Sequence, residues 1–426
     1  MDLEERMKKT KNISVIFAVV MTALFLTACG AASEQSTTSA DAIIVDALEA
    51  ETGTVSGLSG ENAAHTEEAA APVWQQMSMT RSMELNYAQC FTVDYYDDVY
   101  ALITLKDSDR YLLVPEGKAV PEGADEEIVI LQQPFDHVYL TATSAMDLFR
   151  AINCIGNIRL SGTDVDGWYI PEAKAAMENG EMLFAGKYSA PDYELILSEQ
   201  CDLAIESTMI YHTPEVKEQL ENAGIPVLVE YSSYETNPLG RMEWIKLYGV
   251  LMNQLDTACS YFESQEGVLQ NIVLNEGEPK SVAFFYVTSN GAVNVRKSKD
   301  YVAQMISLAG GKYVFDELGE EEDNALSTMT IQMETFYDRA KEADYLIYNS
   351  AIDAELENIE QLLEKSPLFA DFKAVKSGNV WCTGKNMFQE STGLADMILD
   401  FNKILTDNTV RDEELTYLHR LRQEHE

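Results

Sequence analysis

The chain carries one short passage twice. Asp202-Leu203-Ala204-Ile205-Glu206-Ser207 is matched by Asp344-Tyr345-Leu346-Ile347-Tyr348-Asn349-Ser350: an acid, a strand-length apolar run, then a serine. Each copy follows a helical stretch that opens on a glutamate, Tyr193-Glu194-Leu195-Ile196 and Met333-Glu334-Thr335-Phe336. Asn153-Cys154-Ile155-Gly156-Asn157-Ile158 likewise echoes Leu308-Ala309-Gly310-Gly311-Lys312-Tyr313. Short apolar runs between polar turns read as buried strands, and their alternation with helical passages argues for parallel α/β sheets. Two such passages in the same order predict two similar Rossmann-like α/β lobes, at 128–239 and 268–426.

Between them, Trp244, Leu247, Tyr248, Leu251, Leu255, Ala258 and Phe262 fall on one helical face. That spacing predicts a single rigid interlobe helix over 240–267, about 40 Å long at 1.5 Å per residue. Ahead of the first lobe, Cys90 to Tyr96, Val99 to Leu105 and Arg110 to Val114 are β-prone runs separated by Asp-rich turns. They predict a small antiparallel meander over 81–127. Ser144-x-x-Asp147 reads as a capping box opening a helix. Two helices are expected at the end, Leu394 to Leu405 and from Asp412 onward.

The first 28 residues read as a leader. Lys8, Lys9 and Lys11 precede an apolar run from Ile13 to Ala28, shorter than the roughly 20 residues that span a bilayer. It ends Leu26-Thr27-Ala28-Cys29, which resembles a bacterial lipobox. That resemblance implies cleavage before Cys29, a lipid on its sulfur, and a protein held on the extracellular face of the cell membrane. From Gly30 to Thr80 there are eight acidic residues and no Lys or Arg. Such a stretch buries too little apolar surface to order itself, so 29–80 is expected to be a disordered acidic tether.

Composition excludes several classes. With 71 Asp+Glu against 30 Lys+Arg the formal charge is −41, and nucleic-acid binding, which needs clustered cations, is not expected. The five cysteines after Cys29 are scattered and form no CxxC. Of five histidines only His137 and His212 lie in the body, too few for a three-histidine metal site. No G-x-S-x-G elbow, P-loop or G-x-G-x-x-G occurs. Among so many acids a carboxylate pair carries no information about hydrolysis. The expectation is a binding protein rather than an enzyme, with no resident cofactor.

Three motifs carry a resemblance. Glu235-x-x-Pro238-Leu239-Gly240-Arg241-x-Glu243-Trp244-Ile245-Lys246 resembles the start of the interlobe helix in substrate-binding lipoproteins of ABC importers, in the branch for iron–siderophores, haem and cobalamin. The run from Asp300 to Gly311 and Gly378-Asn379-Val380-Trp381 are similar to further segments of that family. The resemblance spans roughly Ile128 to Leu405. It implies two lobes bridged by one helix, ligand held in a shallow cleft, and a monomer serving an ABC permease and its ATPase. It also implies one surface glutamate per lobe docking on the permease, at Glu194 and Glu334. The ligand implied is a metal–organic complex, an iron–siderophore or a corrinoid, bringing its own iron or cobalt. A haem receptor of the same fold and a lipoprotein sensor or adhesin without transport are the alternatives.

Open α/β sheets bind ligands just past the C-terminal ends of their strands. In the first lobe those positions are Thr143, Ser144, Ser207, Thr208, Tyr231 and Ser232, with Trp168 and Tyr169 on a nearby loop. In the second they are Asn290, Arg296, Ser350, Asn386 and Met387. Hydroxyls, amides and aromatics dominate this set, with Arg296 the main cation, which suits a large, weakly charged complex.

Overall fold

A computed structural model describes residues 71–106, 109–274, 276–319 and 328–423. The leader, Cys29 and nearly all of the expected tether lie outside the described residues. Residues 68–426 form one compact unit, to which everything below belongs.

Five strands come first: β1 (Met79–Ser82), β2 (Phe91–Tyr96), β3 (Tyr100–Leu105), β4 (Asp109–Val114) and β5 (Ile128–Gln132). They pair in chain order, antiparallel through β4, while β5 runs parallel to β4. The predicted three-strand meander is therefore larger by two strands: β5, which the boundary at 128 had assigned to the first lobe, and β1, which begins inside the stretch expected to be tether, where Trp74 is also buried. The sheet has two covered faces. Phe91, Val93, Tyr95, Ile103 and Tyr111 point into the core of the first lobe. Tyr100, Leu102, Leu112 and Val114 pack with Trp74 on the other side.

The first lobe contains β6 (Val138–Leu140), α1 (Met146–Ala151), β7 (Ile158–Ser161), α2 (Pro171–Glu178), β8 (Leu183–Phe184), the small hairpin β9 (Gly186–Lys187) and β10 (Ala190–Pro191), α3 (Tyr193–Ser198), β11 (Leu203–Ser207), α4 (Pro214–Asn222) and β12 (Val227–Glu230). Its sheet has the order β12-β11-β6-β7-β8, all parallel. The order reverses at β6, so β6 and its neighbours end at a topological switch point.

The connector is not one helix. It comprises α5 (Pro238–Glu243), α6 (Ile245–Leu251) and α7 (Leu255–Val268). Asn253 between α6 and α7 has φ +55°, a left-handed conformation that ends the helix. The apolar spacing persists across the break because α7 folds back on α6. A Cβ on Gly249 would stand 2.6 Å from the Cβ of Ala258, so that glycine sets how closely the two helices approach.

The second lobe contains β13 (Lys280–Val287), β14 (Val293–Arg296), α8 (Tyr301–Leu308), β15 (Gly311–Tyr313), β16 (Thr328–Ile331), α9 (Met333–Ala340), β17 (Tyr345–Tyr348), α10 (Ile359–Lys365), α11 (Lys373–Lys376), β18 (Val380–Thr383), α12 (Leu394–Thr406) and β19 (Leu418–Arg420). Strands β15, β13, β17 and β18 are parallel; β14, β16 and β19 add antiparallel edges. The helix expected from Asp412 is a single short turn followed by β19, which pairs with β18. Two similar α/β lobes, as expected, are thus the architecture.

The connector's first turns explain the Glu235-to-Lys246 motif physically. The Glu243 carboxylate accepts backbone N–H bonds from Asn86, Tyr87 and Ala88 at 2.8–2.9 Å, and Lys246 Nζ at 2.7 Å. Glu235 accepts the N–H groups of Gln89 and Cys90 and the indole N–H of Trp244. A Cβ on Gly240 would lie 2.9 Å from the Tyr87 carbonyl oxygen. The motif therefore clamps residues 86–90, which lead into β2.

Burial alone would raise the Glu243 pKa, but Lys246 and the three backbone N–H groups outweigh it and hold the carboxyl below its ordinary range. A depressed folded pKa gives stability that is complete above the unfolded value, about 4.3, and is lost as pH falls through the folded one. Glu243→Gln should cost on the order of 3 kcal/mol at neutral pH, because it leaves Lys246 unpaired at a buried site. Chemical denaturation followed against pH should show that penalty shrinking on acidification below about pH 4.

Candidate functional site

The loops that leave the strand ends of the two lobes meet. Beyond β18, Gln389 reaches the first lobe twice. Its Nε2 donates to the Gly167 carbonyl at 2.7 Å, and its Oε1 accepts the Tyr169 N–H at 2.7 Å. Ser391 Oγ donates to the Ser144 carbonyl at 2.7 Å. Thr392 donates its N–H and its hydroxyl to Asp147 Oδ2 at 2.7 and 2.6 Å. Arg150 Nε donates to the other oxygen of Asp147 at 2.5 Å, and Tyr261 of α7 shares a hydrogen bond with Thr392 at 3.1 Å. Asp147 is completely buried, so the lobes are joined by a desolvated, charge-assisted bond.

This use of Asp147 overturns the capping box. Asp147 lies in the first turn of α1, and no side chain caps that helix. Ser144 Oγ instead donates to Glu230 Oε2 at 3.2 Å, and the Ser232 N–H to Glu230 Oε1 at 2.7 Å. Both polar side chains of the apparent box are committed to tertiary contacts.

The expected site residues divide by placement. Ser144 and Tyr169 of the first lobe meet Ser391 and Gln389 of the second, on the loop that also carries Asn386 and Met387, while Thr143 is exposed beside Ser144. The Tyr169 ring is 43% exposed at the rim, with Lys385 Nζ 5.9 Å from its centroid. Asn386 donates to Glu390 at 3.0 Å, and Met387 is buried beneath.

Others face elsewhere. Trp168 is 2% exposed and its indole N–H donates to Ser161 Oγ at 3.2 Å, so it packs its loop against the lobe. Ser350 is buried, its hydroxyl donating to the Thr383 carbonyl at 2.5 Å. The Arg296 guanidinium lies 4.9 Å from the Phe388 centroid and 3.6 Å from Asp300, largely buried. Asn290 shapes the β13–β14 hairpin through its side-chain oxygen. Ser207 caps the turn at Thr208–His212. Tyr231 turns toward the N-terminal sheet, where its hydroxyl meets Tyr211 and Asp109.

Sequence reasoning missed three groups. Glu206 and Glu230 end strands that are otherwise apolar. Register sets Glu206 opposite Val229 and Ser207 opposite Glu230, so the two carboxylates lie on opposite faces of the sheet. Burial pushes Glu206 up to about 7, against the pull of the Thr141 hydroxyl, and raises Glu230 as well. A charged residue inside a strand pattern was the available signal. The third is Arg241 of α5, whose guanidinium stacks 4.0 Å above the ring of buried Tyr301 in the second lobe. Arg241 and Lys385 add positive charge at the seam that was not expected there. Glu194 and Glu334 are each in the first turn of an exposed helix, α3 and α9, at corresponding places in the two lobes.

Two α/β lobes whose strand-end loops meet along a polar seam have the build of a solute receptor. A family model described as "Periplasmic binding protein" matches residues 158–387, just over half of the chain, and the chain belongs to this family. Among curated proteins, it is similar to an uncharacterised lipoprotein of Methanocaldococcus jannaschii, 25% identical over 75% of this chain and 81% of that protein. Among solved structures, a periplasmic haem-binding protein of Pseudomonas aeruginosa superposes with a TM-score of 0.52 at 15% identity, covering 67% of this chain and 97% of that one. A possible iron-binding, periplasmic solute-binding protein of Staphylococcus epidermidis gives a TM-score of 0.50 at 13% identity, covering 65% and 100%.

Asp147→Ala should destabilise the protein by on the order of 3 kcal/mol, since Thr392 and Arg150 both lose their partner. The denaturant midpoint measures the loss. Thr392→Val, which keeps the shape and removes one donor, should cost about 1 kcal/mol.

Proposed function

We propose that this solute-binding protein captures a metal–organic complex, an iron–siderophore or a corrinoid, outside the cell and delivers it to an ABC permease. The observation that supports this reading most is the seam itself: Tyr169 and Lys385 face each other at its rim, from opposite lobes. An aromatic face and a flexible cation suit a broad chelate with a polar edge. The haem-binding and iron-binding solved structures of the same fold point to the same class of ligand. In this reading the protein is tethered through a lipid on Cys29, works as a monomer, and needs no cofactor of its own.

Tryptophan fluorescence of the full chain in detergent tests the ligand, because Trp168 sits next to Tyr169. Titration with cobalamin, ferric hydroxamates, a ferric tricatecholate and haem should give saturable quenching by a weakly charged complex. Tyr169→Ala should weaken it by about tenfold, the loss of one aromatic contact. Binding to haem alone would favour the haem receptor, and no response to any probe would favour a sensor or adhesin.

Delivery is separable from capture. Glu194 and Glu334 are exposed and lie apart from the seam contacts, and paired carboxylates at such sites set orientation more than affinity. Glu194→Ala combined with Glu334→Ala should leave the titrations unchanged and abolish most uptake of the labelled ligand by cells. Normal uptake by that double variant would overturn the docking role. Cys29→Ala should move the protein from the membrane fraction to the soluble one.

A further inference from the structure

Away from the seam contacts, three oxygen ligands converge where the N-terminal sheet meets the first lobe. Tyr211 comes from the turn after β11, Tyr231 follows β12, and Asp109 opens β4. The two phenol oxygens are 2.5 Å apart, and Asp109 Oδ2 is 3.3 Å from one and 3.4 Å from the other. These edges form a small triangle. An octahedral ion held at about 2.0 Å sets neighbouring oxygens about 2.8 Å apart, so shifts of a few tenths of an ångström would let all three oxygens bind one face of such an ion. Tyr231 is 7% exposed and Tyr211 47%, which leaves the triangle fixed on one side and open to solvent on the other. Tyr231 is held by edge-to-face packing on Tyr234 at 5.5 Å, and Lys106 lies over the rings of Tyr234 and Tyr231 at 3.7 and 5.6 Å.

We infer that Tyr211, Tyr231 and Asp109 form a binding site for a hard trivalent cation, Fe(III). All three donors are oxygens, which selects hard ions over zinc or copper. Phenol oxygens become strong donors only once their protons are displaced, which a strong Lewis acid such as Fe(III) does and a weak one such as Ca²⁺ or Mg²⁺ does not. On binding, two Tyr O–H bonds break, three Fe–O bonds form to the two phenolates and the Asp109 carboxylate, three water or chelator donors leave the iron, and both protons pass to buffer; iron stays ferric throughout. Two phenolates and one carboxylate then match the ion's three charges, and the remaining coordination positions are open to a small chelator. This site is distinct from the interlobe seam and does not depend on what that seam binds.

The test adds Fe(III) as its nitrilotriacetate chelate to the full chain in detergent and follows visible absorption. The expected result is a phenolate-to-iron charge-transfer band that saturates at one equivalent. It should be lost in Tyr211→Phe and in Tyr231→Phe, each with wild-type circular dichroism, and Asp109→Asn should weaken binding at least tenfold. Tyr234→Phe, which keeps all three oxygens, should retain the band. Iron held only by the many surface carboxylates gives no such band, so retention of iron without it would overturn the site. So would a band that survives either Phe substitution at 211 or 231, or one that Tyr234→Phe abolishes.

Discussion

Two buried carboxylates at the start of the connector hold three bodies together. Glu235 and Glu243 accept five consecutive backbone N–H groups, those of residues 86–90, and so fix the strap that feeds β2. The helix that carries Glu243 also carries Arg241, which stacks on Tyr301 of the second lobe. One turn further on, Trp244 is fully buried and packs edge-on against Phe91 at 5.0 Å. N-terminal sheet, first lobe and second lobe therefore share one short helix. The carboxylates can occupy so central a place because N–H groups and Lys246 match them, while the Arg241 guanidinium lies on the Tyr301 face with its buried Nε lacking a hydrogen bond among the described residues.

Much of this architecture was legible in the sequence, because it rests on periodicity. Apolar runs such as Leu203 to Ile205 and Tyr345 to Ile347 are buried on both faces, and nothing but a strand in a covered parallel sheet fits them. What escaped are features that periodicity does not encode. Leu255, Ala258 and Phe262 continue the face of Trp244 and Tyr248 in phase, yet Asn253 turns the chain back, and Gly249 against Ala258 supplies the close approach that a hairpin needs. Ile128 to Leu131 is an unbroken apolar run that suits either sheet; pairing with β4 decides for the N-terminal one. Leu418 to Arg420 is too short for any pattern, and its strand character comes from β18 alone.

The candidate site was legible by position but not by orientation. Counting past strand ends located Ser144 where the lobes meet, and Asn386 and Met387 on the loop that reaches across. It could not tell which way Trp168 turns, because that depends on a hydrogen bond to the Ser161 hydroxyl at the end of β7. Nor could it see that Arg296 is stacked on Phe388 and faces Asp300 rather than solvent, or that Ser350 is spent on Thr383. Ser144-x-x-Asp147 shows the limit most plainly. As a local pattern it is a helix cap, but Glu230 and Thr392, distant in sequence, offer better partners.

The bond between Thr392 and Asp147 joins positions 245 residues apart. Each lobe has its own sheet and core, which invites treating the halves as exchangeable parts. They are not. A chimera that took its first lobe from one relative and its second from another would inherit half of a buried lock, with Asp147 facing whatever the other parent places at 392. Recombination within such a family is thus constrained away from the ligand as much as beside it. Grafting a new specificity onto this scaffold means carrying residues 144–150 and 389–392 across together.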